Sequence, residues 1–83
     1  MAVTVDGVSV AVFRRGDRLC AIENVCPHAG ASLADGVLDG DEVLCPLHGF
    51  RFNVTTGACA TDPILRVKTF GVVPHAGGFT VNP

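Results

Sequence analysis

Two five-residue stretches, Cys26-Pro27-His28-Ala29-Gly30 and Cys45-Pro46-Leu47-His48-Gly49, repeat one plan of thiol, proline, imidazole and glycine within a chain of 83 residues. Sixteen residues separate His28 from Cys45. Two thiolates and two imidazoles can supply the complete ligand set of a metal centre, provided the rest of the chain brings the two stretches together. In a domain this small, apolar burial alone leaves a thin stability margin. A centre tying two loops together would widen it.

The intervening sequence reads as a device for making that encounter. Val3 to Val5 and Val8 to Phe13 flank Asp6-Gly7, a dipeptide suited to a tight hairpin turn. Gly16-Asp17 makes the next turn, Arg18 to Glu23 the next strand, and Asn24-Val25 leads into the first loop. Ser32 to Asp35 has room for a turn at most. Val37-Leu38, Asp39-Gly40 and Asp41 to Leu44 then form a second hairpin that ends at Cys45. Phe50 to Val54 alternates as a half-buried strand should, and Thr55-Thr56-Gly57 turns it back towards Ala58 to Ala60. Ile64 to Val73 carries a further strand or two, Pro74 to Gly78 a turn, and Phe79 to Val81 a closing strand. No stretch has the length and period of an amphipathic helix. Short strands at close intervals predict one all-β domain, 1–83, of packed antiparallel sheets, with the two candidate metal-binding loops and the hairpin between them covering about 24–62.

Composition excludes several classes. The chain is 48% hydrophobic, yet its apolar runs are broken by Gly, Pro and Asp, and none approaches the ~20 residues that cross a bilayer. No charged-then-apolar leader is visible, so the expectation is a cytoplasmic protein without a membrane partner. A net charge of -2 argues against a nucleic-acid surface. Four cysteines could make two disulfides, but Cys26 and Cys45 stand in metal-ligand spacing. Cys20 and Cys59 lie in apolar strand-like runs and read as small buried hydrophobes rather than a bonded pair. His75, alone in a Pro-His-Ala-Gly-Gly run, reads as a solvated turn residue. Asp35, Asp39, Asp41 and Glu42 form an acidic stretch between the loops, either a solvated hairpin or a docking surface. Asn53-Val54-Thr55 matches a glycosylation acceptor, without weight where no export signal is seen.

The spacing Cys-x-His, sixteen residues, Cys-x-x-His closely resembles that of the Rieske iron-sulfur proteins, in which two cysteines hold one iron of a [2Fe-2S] cluster and two histidines the other. The likeness extends over Val3 to Phe13, the Gly30 and Gly49 turns, His48-Gly49-Phe50 and Thr56-Gly57, which resemble soluble Rieske ferredoxins. Against the usual length of that family the expectation is roughly one N-terminal strand fewer, in a minimal member or in one whose strand is lost or supplied by something else. A Cys2His2 zinc site stays open on the residues alone, although zinc modules favour Cys-x-x-Cys or His-x-x-x-His pairs. The resemblance implies one Rieske cluster on Cys26, Cys45, His28 and His48, with both histidines at the surface where an electron enters or leaves.

What the resemblance implies about function is an electron-transfer protein rather than an enzyme. It would be a ferredoxin that takes one electron from a flavin NAD(P)H reductase and passes it to a terminal oxygenase, or alternatively the small subunit or module of a larger oxidoreductase such as an NAD(P)H nitrite reductase. Neutral imidazoles make a cluster less anionic and easier to reduce than four thiolates do. High-potential members add a disulfide between the loops and two hydroxyl donors to sulfur. Here Ala31, Leu47, Phe50 and Phe52 stand at those four positions, so the resemblance implies a potential near the roughly -150 mV low limit of the Rieske range.

Overall fold

The computed structural model describes residues 1–28, 30–47 and 49–83. Among these described residues eight strands form two antiparallel sheets: β1 (Ala2–Val5), β2 (Val8–Arg15), β3 (Arg18–Glu23), β4 (Val37–Asp39), β5 (Glu42–Leu44), β6 (Arg51–Asn53), β7 (Thr69–His75) and β8 (Gly78–Asn82). The larger sheet runs β1-β2-β3-β7-β8, the smaller β4-β5-β6. Leu33–Asp35 makes a single 3-10 turn, the one helical segment among the described residues. The all-β architecture read from the strand and turn signals is thus the one observed.

Register follows from turn chemistry. Val5 pairs with Val8 across Asp6-Gly7, whose φ angles of 50° and 81° are both positive, as a two-residue I′ turn demands. Arg15 pairs with Arg18 across Gly16-Asp17. In the second hairpin Asp39 pairs with Glu42, so the turn falls on Gly40-Asp41, one residue later than Asp39-Gly40. Asp39 is thereby a strand residue, and its carboxylate lies 3.1 Å from Arg51 on β6.

Alternation along β2 and β3 gives the larger sheet two buried faces. Ala11, Phe13, Cys20 and Ile22 join Leu33, Val43, Phe52, Val54 and Val67 in the main core, between the sheets and under both loops. Val10, Val12 and Ala21 form a second cluster, with Val3, Val5, Phe70, Val72, Phe79 and Val81 packed against it. Cys20 and Cys59 are buried free thiols of the main core, in keeping with their reading as small apolar residues.

The C-terminal third departs from the sequence reading. Residues 64–68 do not form a strand; Asp62 accepts from the Ile64 and Leu65 amides through its side chain and backbone. The segment is tied to the chain after β6 by an isolated Ala58–Arg66 bridge and to β3 at Glu23, whose N–H donates to the Lys68 carbonyl at 2.9 Å and whose carboxylate accepts from the Lys68 N–H at 2.6 Å. β7 instead continues through Pro74 to His75, and the turn is Ala76-Gly77. β7 pairs with β3 at Phe70 and Thr69 alone. Pro74 lies beyond that contact, where a missing N–H interrupts no ladder on that side. His75 therefore ends a strand, with Nε2 3.1 Å from Thr80 Oγ1.

Candidate functional site

Each loop begins where a strand delivers its cysteine, and the two loops share one hydrogen-bond plan. In the first, the Cys26 N–H donates to the Ala31 carbonyl at 2.8 Å and the Gly30 N–H to the Cys26 carbonyl at 2.6 Å. In the second, the Cys45 N–H donates to the Phe50 carbonyl at 2.7 Å and the Gly49 N–H to the Cys45 carbonyl at 3.2 Å. Gly30 and Gly49 close these turns with φ of 73° and 70°, a conformation that costs a residue with a Cβ. The repeated motif is thus a repeated fold, and the glycine is the residue that lets the chain double back.

Cys26 and Cys45 are buried, at 0% and 2% exposure, and the Cys26 thiol lies near enough to act on the Cys45 thiol across the two loops. Burial pushes the Cys45 thiol up, as do the bond to the Cys26 thiol and its charge, while the Leu47 N–H directed at the Cys45 sulfur works the other way. A buried thiol held beside another sulfur resists ionisation unless a cation joins it. This donor chemistry fits iron held by two thiolates, with one backbone amide already turned towards sulfur. His28 lies at the surface of the same end of the domain, its ring stacked on Phe50. The structure therefore places three of the four candidate ligands; His48 lies outside the described residues. Among the described residues no group of three or more His, Cys, Asp or Glu forms a metal-sized cluster, Cys26, Cys45 and His28 included.

Asn24 is a site residue that motif reading misses. Its Oδ1 accepts from Ser32 Oγ at 2.9 Å and from the Ala34 N–H at 2.7 Å, while its Nδ2 donates to Ser9 Oγ at 3.0 Å. One amide side chain thus fastens the exit of the first loop to β2. An asparagine next to a ligand loop was the available signal, but partners eight to fifteen positions away leave no local pattern.

The acidic stretch is partly answered within the fold. Arg51 lies 3.1 Å from Asp39 and 3.4 Å from Glu42, and Arg15 pairs with Asp41. Such exposed pairs contribute little stability, but they reduce the field available for steering a partner.

Two strand-borne loops of one plan, with thiols inside and an imidazole outside, define a small antiparallel β domain built around a two-loop thiol and imidazole centre. The model of the Rieske [2Fe-2S] domain family matches residues 1–71. Ferredoxin CarAc of Metapseudomonas resinovorans is 49% identical over 59 residues, 71% of this chain and 55% of its own length. Among solved structures, the ferredoxin of carbazole 1,9a-dioxygenase from Nocardioides aromaticivorans IC177 superposes with a TM-score of 0.91 and 43% identity, covering all of this chain and 83% of its own. An NADH-dependent nitrite reductase small subunit assigned in Mycobacterium tuberculosis gives 0.86 and 28%, covering 95% of this chain and 76% of its own. The chain belongs to the Rieske [2Fe-2S] domain family, and its cofactor is a Rieske-type [2Fe-2S] cluster. It spans little more than half the length of the curated ferredoxin. No helix is long and apolar enough to cross a membrane among the described residues.

Proposed function

We propose that the chain, as one domain over 1–83 with its cluster-binding part at about 24–62, is a one-electron carrier in which Cys26 and Cys45 hold one iron and His28 and His48 the other. A bound Rieske cluster supplies a reversible one-electron couple; the chain's own residues set where it can be reached. The observation that carries the reading is the difference in burial: Cys26 and Cys45 are inside the core, whereas His28 is exposed. Charged donors sit away from water, and the neutral ring faces a docking partner.

The partners proposed are a flavin-containing NAD(P)H reductase and a terminal oxygenase, because the carbazole 1,9a-dioxygenase ferredoxin shares the fold over the whole of this chain. The nitrite reductase small subunit favours a second reading, in which the same domain serves inside a larger reductase. The protein that co-purifies with the chain separates the two. Cys20 and Cys59, the two cysteines outside the ligand loops, are free thiols, which suits a reducing compartment, and the cytoplasm is the proposed location.

Anaerobically purified protein is expected to carry two irons and two acid-labile sulfides per chain, to give a Rieske EPR signal when reduced, and to have a potential near the roughly -150 mV limit. A colourless preparation with stoichiometric zinc and no labile sulfide, from cells able to assemble clusters, refutes the proposal.

The second ligand loop also offers a contact rim. Leu47 is 50% exposed and Pro46 is exposed beside it in sequence, and the exposed Pro63 and Ile64 are proposed to extend it. Apolar residues of this kind suit the dry centre of a transient interface. Leu47→Asp should leave the cluster spectrum intact and slow transfer to the partner about tenfold, the effect of losing roughly 1.4 kcal/mol of docking energy. Unchanged transfer to both reductase and acceptor would remove this face from consideration.

A further inference from the structure

Phe50 touches both loops at once. Its backbone carbonyl closes the second loop by accepting from the Cys45 N–H, while its ring crosses to the first loop and lies on the His28 imidazole. The ring centroids are 3.9 Å apart and the planes 7° from parallel. The Phe50 side chain is half-buried and packs against the main core, so the ring is anchored from behind. We propose that Phe50 is a positioning residue, which fixes the rotation of the His28 imidazole and covers one of its faces. The inference rests on the assignment of His28 as a ligand.

What such a contact does for the histidine follows from the ring itself. The imidazole turns about χ2, a torsion with broad wells, and His28 is exposed at a loop tip rather than buried in the core. A flat ring held parallel at contact distance does restrict it. Near face-on stacking is unfavourable between two electron-rich rings. It becomes favourable when one ring is drawn on by a cation, since the negative face of phenylalanine then meets a depleted partner. The contact therefore suits an imidazole that carries a metal better than one that does not. The same residue sets the Cys45 turn through its carbonyl, so the spacing between the loops and the plane of the ring are fixed together.

The experiment compares the loaded parent with Phe50→Leu, which keeps apolar bulk without a flat face, and Phe50→Tyr, which keeps the ring. Pulsed EPR on reduced protein containing 15N-histidine reads the spread of histidine couplings, and loss of colour to a chelator reads cluster retention. Phe50→Leu is expected to broaden the histidine couplings and to lose the cluster about two- to tenfold faster; Phe50→Tyr should restore both. Should Phe50→Leu fail to load, Phe50→Met removes the flat face with a more adaptable side chain. Couplings as narrow in the leucine or methionine variant as in the parent overturn the proposal, and so does equal broadening in the tyrosine variant. A parent with no Rieske signal would instead overturn the ligand assignment, and would do so before any variant was made.

Discussion

Cys45→Ser and His28→Cys are expected to abolish the Rieske EPR signal, with Cys45→Ser falling from two irons per chain to about none, while His75→Ala keeps both iron and signal. Cys45 sits at 2% exposure against an equally buried Cys26. Burial and the Cys26 thiol already oppose its ionisation as a lone group, so the energy that favours the thiolate has to come from the metal. A serine hydroxyl is a harder and far less acidic donor, and in this buried position it cannot take over that role. His28→Cys has a different outcome: a third thiolate adds negative charge and removes the mixed ligation that defines the signal, so iron can persist while the spectrum changes. His75 lies at the end of β7 with its Nε2 beside Thr80 Oγ1, and its loss touches neither loop. Iron analysis with EPR on the three variants is the test. Full iron and an unaltered signal in Cys45→Ser, or loss of signal in His75→Ala, would show that the assignment names the wrong side chains.

The parts of this molecule legible in the sequence are those that local chemistry determines. Asp6-Gly7 and Gly16-Asp17 set their hairpins in register because a two-residue turn admits few residue types. Cys26 and Cys45 with a glycine four positions on announce two copies of one turn, and the two copies do share their hydrogen bonds. What stayed hidden depends on distance in the chain. Gly36 looks like a loop glycine, yet a Cβ there would stand 2.1 Å from the Leu44 carbonyl oxygen, next to Cys45. Asn24 looks like a turn residue, yet it joins β2 to the far side of the first loop. The extent of β7 was misread because Pro74 signals a break, whereas tertiary context leaves its missing N–H without consequence on the β3 side. The stack of His28 on Phe50 links residues 22 positions apart, and no periodicity carries that information.

Gly57→Ala is expected to destabilise the loaded protein by about 2–5 kcal/mol, against about 1–2 kcal/mol for Gly40→Ala. Both glycines have positive φ, 80° and 62°, so both substitutions incur the same conformational strain. Their surroundings differ. A Cβ on Gly40 meets nothing within 4 Å, whereas one on Gly57 would lie 2.1 Å from the Val67 carbonyl oxygen and 3.3 Å from Thr69 Cγ2. The close neighbour is backbone, and it cannot rotate away as a side chain could. Relief requires the 65–67 segment to lift off the turn that follows β6, which breaks the 2.9 Å bond from the Val67 N–H to the Gly57 carbonyl and exposes Val67, buried at 3% in the main core. That core also holds Cys26 and Cys45, so the cluster should be lost along with the fold. With a total stability of about 5–15 kcal/mol for a domain of ordinary stability and a urea slope of about 1–3 kcal/mol per molar, the midpoint of Gly57→Ala should fall by roughly a molar or more. Urea titrations of the two variants beside the parent, followed by far-UV circular dichroism and by cluster absorbance, decide the matter. Equal midpoints for Gly57→Ala and Gly40→Ala would mean that φ strain alone governs both positions and that the close approach of Val67 to the turn does not hold in solution.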